Sequence, residues 1–122
     1  MTDPRQGLGR RGEELAGRHL ESLGYSILVR NHRTGSGEID LVAKDEDTLV
    51  FVEVRTKRGN THGSPEESIT PSKKAHLIAS AQEYLQQTNV TDTDWRIDLV
   101  AVELDSAGRL QRVEVLENAI EG

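Results

Sequence analysis

The sequence contains no cysteine, and only one phenylalanine, one tryptophan and two tyrosines among its 122 residues. The absence of cysteine excludes a disulfide framework, a thiolate zinc site and a cysteine nucleophile. Because aromatic side chains are scarce, the core must be built mainly from Val, Leu, Ile and Ala. A core of this kind is thin, and a homodimer interface would add buried area to it.

Long apolar runs are also missing. No segment approaches the roughly 20 apolar residues that a membrane-spanning helix needs. The polar start of the chain, Met1 to Gly12, carries arginines and lacks the apolar region of a secretory signal. We therefore expect a cytoplasmic protein without a membrane partner. The length is typical of a single domain over residues 1–122, in which residues 1–12 form a flexible N-terminal segment.

The net charge of −6 argues against simple non-specific binding to nucleic acid. The charges are unevenly distributed, since residues 92–122 hold eight acidic and three basic side chains, whereas residues 1–33 hold six basic and four acidic ones. Arg55, Lys57 and Arg58 form a local basic cluster. A nucleic-acid surface would therefore be confined to one face, and the acidic C-terminal part leaves open a protein-interaction domain with a basic partner.

Apolar spacing predicts two helices. Residues 13–23 show apolar side chains at three- and four-residue intervals. Thr70 is a suitable N-cap and Pro71 a suitable first helical residue for a second helix that runs to about Gln87. Five other segments have the composition of strands: residues 25–30, 38–44, 48–55, 95–104 and 110–116.

The connecting segments are rich in glycine and charge. Residues 31–37 and 45–47 are predicted turns, and residues 56–70 form a long polar loop of the kind that is often functional. The resulting order is α-β-β-β-α-β-β. It predicts a three-layer α/β fold with a mixed central sheet flanked by helices.

Two acidic residues on neighbouring predicted strands carry the strongest chemical signal. A hairpin closed near residues 45–48 places Asp40 within a residue or two of Glu53 across the strands. Because side chains alternate along a strand, Arg55 and Lys57 share a face with Glu53. Two carboxylates that converge repel each other unless a cation lies between them, and oxygen ligands suit Mg²⁺ or Mn²⁺.

Several blocks of the sequence, spread over about residues 7–104, resemble the YraN-like family of uncharacterised bacterial proteins. The blocks are GEELAGRHLESLGYSILVRN, GEIDLVAKD, VFVEVRTKRG, PSKKAHLIASAQEYL and WRIDLVAVEL, in this order. That family belongs to the restriction-endonuclease-like superfamily, whose signature is written PD-(D/E)-x-K. The resemblance implies the restriction-endonuclease-like fold and a divalent-metal-dependent endonuclease.

The resemblance also assigns roles to residues. Asp40 corresponds to the metal-binding aspartate and Glu53 to the second carboxylate, and the carbonyl of Val54 is a further metal ligand by the same analogy. Glu13 matches a glutamate that relatives such as archaeal Holliday-junction resolvases add to the metal site. Lys73 matches a lysine at the start of the second helix, where we expect a phosphate contact, and we expect nucleic-acid contacts from Arg58 and Arg33 as well.

One departure from the signature bears on activity, because Arg55 stands where the lysine normally stands. An arginine guanidinium does not serve as a base, although its planar fork can hold a phosphate. Three alternatives remain: water activated by the metal suffices for attack, Lys57 supplies the missing ammonium, or the domain binds without cutting.

Two of the acidic residues also have a purely structural interpretation. Glu53, in an apolar strand, would be costly to bury unpaired, and a salt bridge to Arg55 or Arg30 would satisfy it. Glu13 would be favoured at the start of a helix by the helix dipole. The sequence therefore leaves three functions open. The first is a Mg²⁺- or Mn²⁺-dependent nuclease, for which we expect DNA, including branched or structured DNA, as the substrate. The others are a catalytically silent nucleic-acid-binding module and an acidic protein-interaction domain.

Overall fold

A computed structural model describes residues 4–59, 63–90 and 92–121 of the chain. Two α-helices, α1 (Pro4–Ser22) and α2 (Pro71–Gln87), accompany a short 3₁₀ helix at Pro65–Ser68. The five strands are β1 (Ser26–Thr34), β2 (Gly37–Asp45), β3 (Thr48–Arg58), β4 (Trp95–Leu104) and β5 (Leu110–Leu116). The predicted order α-β-β-β-α-β-β is confirmed.

The five strands form one sheet in the order β1-β2-β3-β4-β5. Neighbouring strands are antiparallel except β3 and β4, which are parallel. A parallel pair needs a crossover, and α2 supplies it. Helix α1 packs mainly against β3 and α2 mainly against β2. The result is a three-layer α/β architecture with a mixed sheet, as predicted, and it agrees with the restriction-endonuclease-like fold.

Two apolar clusters lie on opposite faces of the sheet, and alternation along β3 separates them. Val50, Val52 and Val54 pack in the cluster with Ala16 and Leu20 of α1. The intervening Phe51 packs with Leu77, Ala81 and Tyr84 of α2. Glu53 follows Phe51 by two residues and thus continues the α2 face of the strand.

Helix α1 begins at Pro4, whereas the sequence predicted a helix only from residue 13 and a flexible segment before it. Residues 4–12 are helical, and residues 1–3 lie outside the described part. Glycines at positions 7, 9 and 12 disfavour a helix locally. Tertiary packing overrides this preference, because Gly12 is buried against Thr56, where an added Cβ would lie 1.8 Å from the threonine Oγ1.

Strand β1 continues to Thr34, so the predicted turn over residues 31–37 is shortened to Gly35 and Ser36. Within this strand Asn31 has a left-handed backbone with φ of 52°. Asparagine tolerates this conformation better than most residues. Asn31 lies opposite Asp40, between the paired positions Arg30–Leu41 and His32–Ile39.

The second half of the chain forms as predicted. Thr70 caps α2 by accepting a hydrogen bond from the N–H of Lys73, Pro71 is the first helical residue, and the helix ends at Gln87. Strands β4 and β5 have the predicted bounds, whereas β3 extends beyond Arg55 to Arg58. Within the described residues, neither helix combines the length and apolar character that crossing a bilayer would require.

Candidate metal centre

Asp40 and Glu53 meet where β2 and β3 stop pairing. The ladder between the strands runs from the Asp45–Thr48 pair to the Leu41–Val52 pair. One step further along the same register, Asp40 lies opposite Glu53. There a side-chain hydrogen bond takes the place of a backbone hydrogen bond between the strands, because Asp40 Oδ2 accepts from the N–H of Val54 at 2.9 Å. The predicted proximity of the two carboxylates is confirmed.

Glu53 is a carboxyl group without adequate polar partners. Its side chain is only 4% exposed, and its Oε2 accepts no hydrogen bond from the described residues. Burial raises the pKa of Glu53 to about 8, and the neighbouring Asp40 carboxyl adds to the increase. A buried oxygen of this kind is costly unless a proton or a cation accompanies it.

The cation nearest to Glu53 comes from α2. Lys73 Nζ lies 3.5 Å from Glu53 Oε2, and the lysine side chain is 39% exposed. This ion pair is too long for a strong hydrogen bond, although Lys73 and Arg55 both lower the pKa of Glu53. The structural alternative from the sequence, in which Glu53 forms a salt bridge with Arg55 or Arg30, is wrong. The ion-pair partner of Glu53 is Lys73.

A second carboxylate cluster adjoins this pair. One carboxylate oxygen from each of Glu13, Glu38 and Asp40 lies within 4.8 Å of the other two. Burial and the nearby Asp40 raise the pKa of Glu13. Glu13 thus joins the site, as the resemblance implied. Glu38 was missed, although its position two residues before Asp40 on the same strand is a period-2 signal that could have indicated it.

Asn31 holds two of these carboxylates. With its amide nitrogen turned toward them, it donates to Glu38 Oε1 and to Glu13 Oε2, each at 3.0 Å. The left-handed backbone at Asn31 accompanies this placement. The asparagine gives Glu13 and Glu38 a shared neutral donor, which lowers the pKa of Glu13 but adds no positive charge.

The predicted basic residues are distributed unevenly around the carboxylates. Arg55 Nε donates to Ser68 Oγ at 2.7 Å, and Lys57 Nζ donates to the carbonyl of Gly63. Arg58 is turned toward the β4–β5 connection, where its guanidinium donates to the carbonyl of Ser106 at 3.0 and 3.3 Å. Arg55 and Lys57 are thus anchored to the loop that follows β3.

Arg33 is the most peripheral of the predicted nucleic-acid contacts. Its side chain is 88% exposed and lies 3.8 Å from Glu38 Oε2. It reaches the site only through this ion pair, whereas Lys73 and Arg58 lie in the same cavity as Asp40 and Glu53.

A cleft of about 840 Å³ brings these groups together. It is bounded by α1, the splayed ends of β2 and β3, the 3₁₀ helix and the start of α2. Its lining comprises Leu8, Gly9, Glu13, Glu38, Asp40, Glu53, Val54, Arg55, Thr56, Lys57, Arg58, Ser64, Pro65, Ser68 and Lys73. The acidic groups offer only oxygen ligands, which fits a hard divalent cation such as Mg²⁺ or Mn²⁺.

Asp98, a second fully buried carboxyl group, has a structural role. Its Oδ1 accepts hydrogen bonds from Arg96 Nε at 3.0 Å and from the N–H of Asn118 at 2.9 Å. These contacts connect β4 to the segment after β5.

A family model and individual relatives of this chain carry the same family description. A family model described as uncharacterised protein family UPF0102 matches residues 12–102. A UPF0102 protein of Pelotomaculum thermopropionicum is 49% identical over 119 residues, which cover 98% of this chain and 99% of the relative. A UPF0102 protein of Dehalococcoides mccartyi is 47% identical over 120 residues, with 98% of each chain covered.

Proposed function

We propose that this chain, which belongs to the uncharacterised protein family UPF0102, is a nuclease that hydrolyses phosphodiester bonds with the help of Mg²⁺ or Mn²⁺. The family membership agrees with the YraN-like resemblance of the sequence. It carries no activity with it, so the proposal depends on the chemistry of the cleft.

The observation that supports the proposal best is the unsatisfied Glu53 carboxyl beside Asp40. Glu53 is buried, its Oε2 accepts no hydrogen bond within the described part of the chain, and its pKa is about 8. Asp98 also has a buried oxygen without a hydrogen bond from the described residues, its Oδ2, but that carboxylate is paired with Arg96 at 3.0 Å. Among the same residues Glu53 has only the Lys73 ammonium at 3.5 Å, and a buried carboxyl group with so little compensation calls for a further partner. A divalent cation between the two carboxylates would satisfy both, and pKa shifts of this kind are typical of functional sites.

Each group in the cleft has a distinct role under this proposal. A bound Mg²⁺ or Mn²⁺ would neutralise phosphate charge and activate water for attack. Asp40 and Glu53 would hold the ion, with Glu13 beside them. Arg55 would hold the scissile phosphate through its guanidinium, which is suited to planar phosphate contacts. Lys57, on the same face of β3, would add a second positive charge.

The experiment is a cleavage panel with branched, duplex and single-stranded DNA and with RNA, in Mg²⁺ or Mn²⁺. We expect metal-dependent cutting by the natural chain and its loss in Asp40→Asn and in Glu53→Gln. Both substitutions keep the side-chain size and replace a carboxyl group that can bind a metal as a carboxylate with a neutral amide. Circular dichroism would verify that the variants are folded.

Glu14→Gln is the matched control. Glu14 is the exposed neighbour of Glu13 on α1 and forms an ion pair with Arg18, so its neutralisation should leave cutting unchanged. Cutting that survives in EDTA, or in both site variants purified in the same way, would contradict the proposal.

A second function is favoured by one specific contact. The Lys73 ammonium already lies 3.5 Å from Glu53 Oε2, and Arg55 replaces the signature lysine. If the Lys73 ammonium takes the place of a metal ion beside Glu53, the cleft would lack the metal that the cutting mechanism needs. The protein would then be a nucleic-acid-binding module that does not cut. This alternative predicts salt-dependent binding to nucleic acid, unaffected by EDTA, and no cleavage of any substrate in the panel.

The acidic protein-interaction domain is less well supported, because arginines pair with many of the C-terminal carboxylates. Arg112 contacts Glu66, Glu103 and Glu114, and Arg96 contacts Asp45, Asp98 and Glu117. Pairing of this kind reduces the free negative potential that a basic partner would recognise.

A further inference from the structure

We propose that Arg11 and Arg58, together with the turn between β4 and β5, form a phosphate-binding surface that holds the nucleic acid several nucleotides away from the bond to be cut. This inference deepens the proposed nuclease function and rests on it for the class of ligand. The sequence indicated Arg58 as a nucleic-acid contact, whereas no sequence pattern indicated Arg11 or the turn.

The two arginines converge on this turn from different elements. Arg11 lies on α1, and its Nη2 donates to the carbonyl of Gly108 at 3.3 Å. Arg58 ends β3, and its guanidinium donates to the carbonyl of Ser106 at 3.0 and 3.3 Å. A Cβ placed on Gly108 would lie 3.7 Å from Arg58 Cζ. The guanidiniums of both exposed arginines therefore border the same glycine.

Both guanidiniums keep their positive charge available for an external anion. Their acceptors are neutral carbonyl oxygens, and within residues 4–59, 63–90 and 92–121 neither Arg11 nor Arg58 has a carboxylate as ion-pair partner. Other arginines do contact a carboxylate: Arg18, Arg33, Arg96, Arg109 and Arg112. Two like charges that border one turn without a counter-charge favour the binding of an anion between them.

The acidic residues in and just before the turn are already paired. Asp105 accepts hydrogen bonds from the N–H groups of Ala107 and Arg109 at 2.9 and 2.8 Å, and its Oδ2 pairs with Arg109 Nε at 3.1 Å. Glu103 pairs with Arg112 Nε at 2.6 Å. The hydrogen bonds to Asp105 also fix the turn, so the carbonyls that orient the two guanidiniums are held in place before a ligand arrives.

The surface continues the cleft along β3. Arg58 lines the cleft, and the preceding cations Arg55 and Lys57 are likewise held by neutral acceptors, a hydroxyl and a carbonyl. A row of cations suits a polymer with repeated negative charges better than a single phosphate. The ligand class is therefore a nucleic-acid backbone.

The length of β3 sets the reach of this contact. From Glu53 to Arg58 the strand covers about 17 Å, at roughly 3.3 Å per residue. Because one DNA strand carries a phosphate for about every 3.4 Å of helix axis, this distance corresponds to about five nucleotides. The surface would thus bind the strand at about that distance from the scissile phosphate.

The experiment measures the binding of labelled duplex and single-stranded DNA by fluorescence anisotropy, in EDTA so that no cutting interferes. We expect Arg11→Gln and Arg58→Gln each to weaken binding by about threefold to tenfold, and to reduce the slope of log affinity against log salt by about 0.7 to 0.9. Arg11→Lys and Arg58→Lys should keep this slope, because lysine retains the charge.

Arg18→Gln is the matched control, since Arg18 is an exposed arginine of the same helix that already pairs with Glu14. This variant should bind like the natural chain, and circular dichroism would verify that all variants are folded. If the lysine variants bind as weakly as the glutamine variants, the arginines act only by holding the turn and the surface is overturned. It is also overturned if the natural chain binds no DNA at low salt.

The cleavage panel separates this surface from the proposed function. If the natural chain cuts while Arg11→Gln and Arg58→Gln bind DNA as tightly as Arg18→Gln does, the surface is overturned and the nuclease function stands. If binding falls in these two variants as expected while the natural chain cuts no substrate, the surface stands and the nuclease function fails.

Discussion

Asp40 Oδ2 accepts a hydrogen bond from the N–H of Val54 at 2.9 Å, one step beyond the last paired residues of β2 and β3. The carboxylate thus satisfies a backbone donor that the ladder would otherwise have paired. In doing so it fixes the point at which the strands separate. This separation opens the cleft and leaves Glu53, next to Val54, with Asp40 as its neighbour.

Replacing Asp40 in two ways isolates this hydrogen bond. Asp40→Asn and Asp40→Ala both remove the negative charge, but only asparagine keeps an oxygen that can accept from Val54. We expect the alanine variant to be less stable than the asparagine variant by about 1–3 kcal/mol, the usual effect of leaving a buried donor unpaired. Urea unfolding in EDTA measures the difference. Equal stability of the two variants would show that the contact contributes nothing.

The raised pKa of Glu53 makes stability depend on pH. In the folded chain this pKa is about 8, against an ordinary value of 4.5, so the folded state binds the proton more tightly than the unfolded state does. The stabilisation is fully present below about pH 4.5 and is lost as the pH rises through about 8. Each pKa unit corresponds to about 1.4 kcal/mol.

Urea unfolding in EDTA between about pH 5 and about pH 9 tests this dependence. The natural chain should lose stability over this range, whereas Glu53→Gln, which has no proton to lose, should lose markedly less. Added Mn²⁺ should restore the stability of the natural chain at high pH and should stabilise Glu53→Gln less, because that variant lacks one carboxylate ligand. Parallel curves for the two proteins would contradict the assigned pKa.

If the cleft binds a metal ion as proposed, Lys73 would compete with that ion for Glu53. Because the ammonium lies 3.5 Å from Glu53 Oε2, Lys73→Gln should raise the Mn²⁺ affinity by about threefold to tenfold, in line with roughly 1 kcal/mol for a partly exposed ion pair. The matched control is Lys74→Gln, since Lys74 is exposed and faces another groove. Isothermal titration calorimetry of both variants measures the Mn²⁺ affinity. An unchanged Mn²⁺ affinity in Lys73→Gln would mean that the lysine does not occupy the cation position.

Gly12 and Gly9 should respond in opposite directions to alanine. A Cβ at Gly12 would lie 1.8 Å from Thr56 Oγ1, whereas a Cβ at Gly9 would meet nothing within 4 Å. Gly12→Ala should therefore cost about 1–3 kcal/mol through overpacking. Gly9→Ala should stabilise α1 by about 0.5–1 kcal/mol, because alanine favours the helix. Thermal unfolding of both variants provides the comparison, and partial rescue of Gly12→Ala by Thr56→Ala would identify the clash.

Asn31 combines a backbone requirement with its amide contacts. At φ of 52° glycine is unstrained and alanine is strained by roughly 1 kcal/mol or more, so Asn31→Ala should be less stable than Asn31→Gly. Asn89 has a similar φ of 56°, and the same pair of substitutions there should differ by a similar amount. The loss of the amide should appear as a higher pKa of Glu13 in Asn31→Gly, which NMR titration can follow, since Asn31 lowers that pKa.

Local sequence signals account for much of the fold. Helix α2 is specified by its cap Thr70 and by Pro71 at its first position, and β4 and β5 by apolar alternation between turns. The hairpin turn between β2 and β3 fixes the register, and therefore the meeting of Asp40 and Glu53 follows from counting residues across the turn. These features depend on neighbours in the chain, which is why the sequence by itself determined them.

Contacts between distant segments decided the rest. Helix α1 extends to Pro4 because Gly12 fits against Thr56, which no local propensity records. Glu38 joins the site only because α1 brings Glu13 beside it and a left-handed Asn31 faces both. The pairing of Glu53 with Lys73 rather than with an arginine depends on where α2 starts above the sheet. Periodicity and capping act over a few residues, whereas charge compensation in a cleft depends on which segments the packed layers bring together.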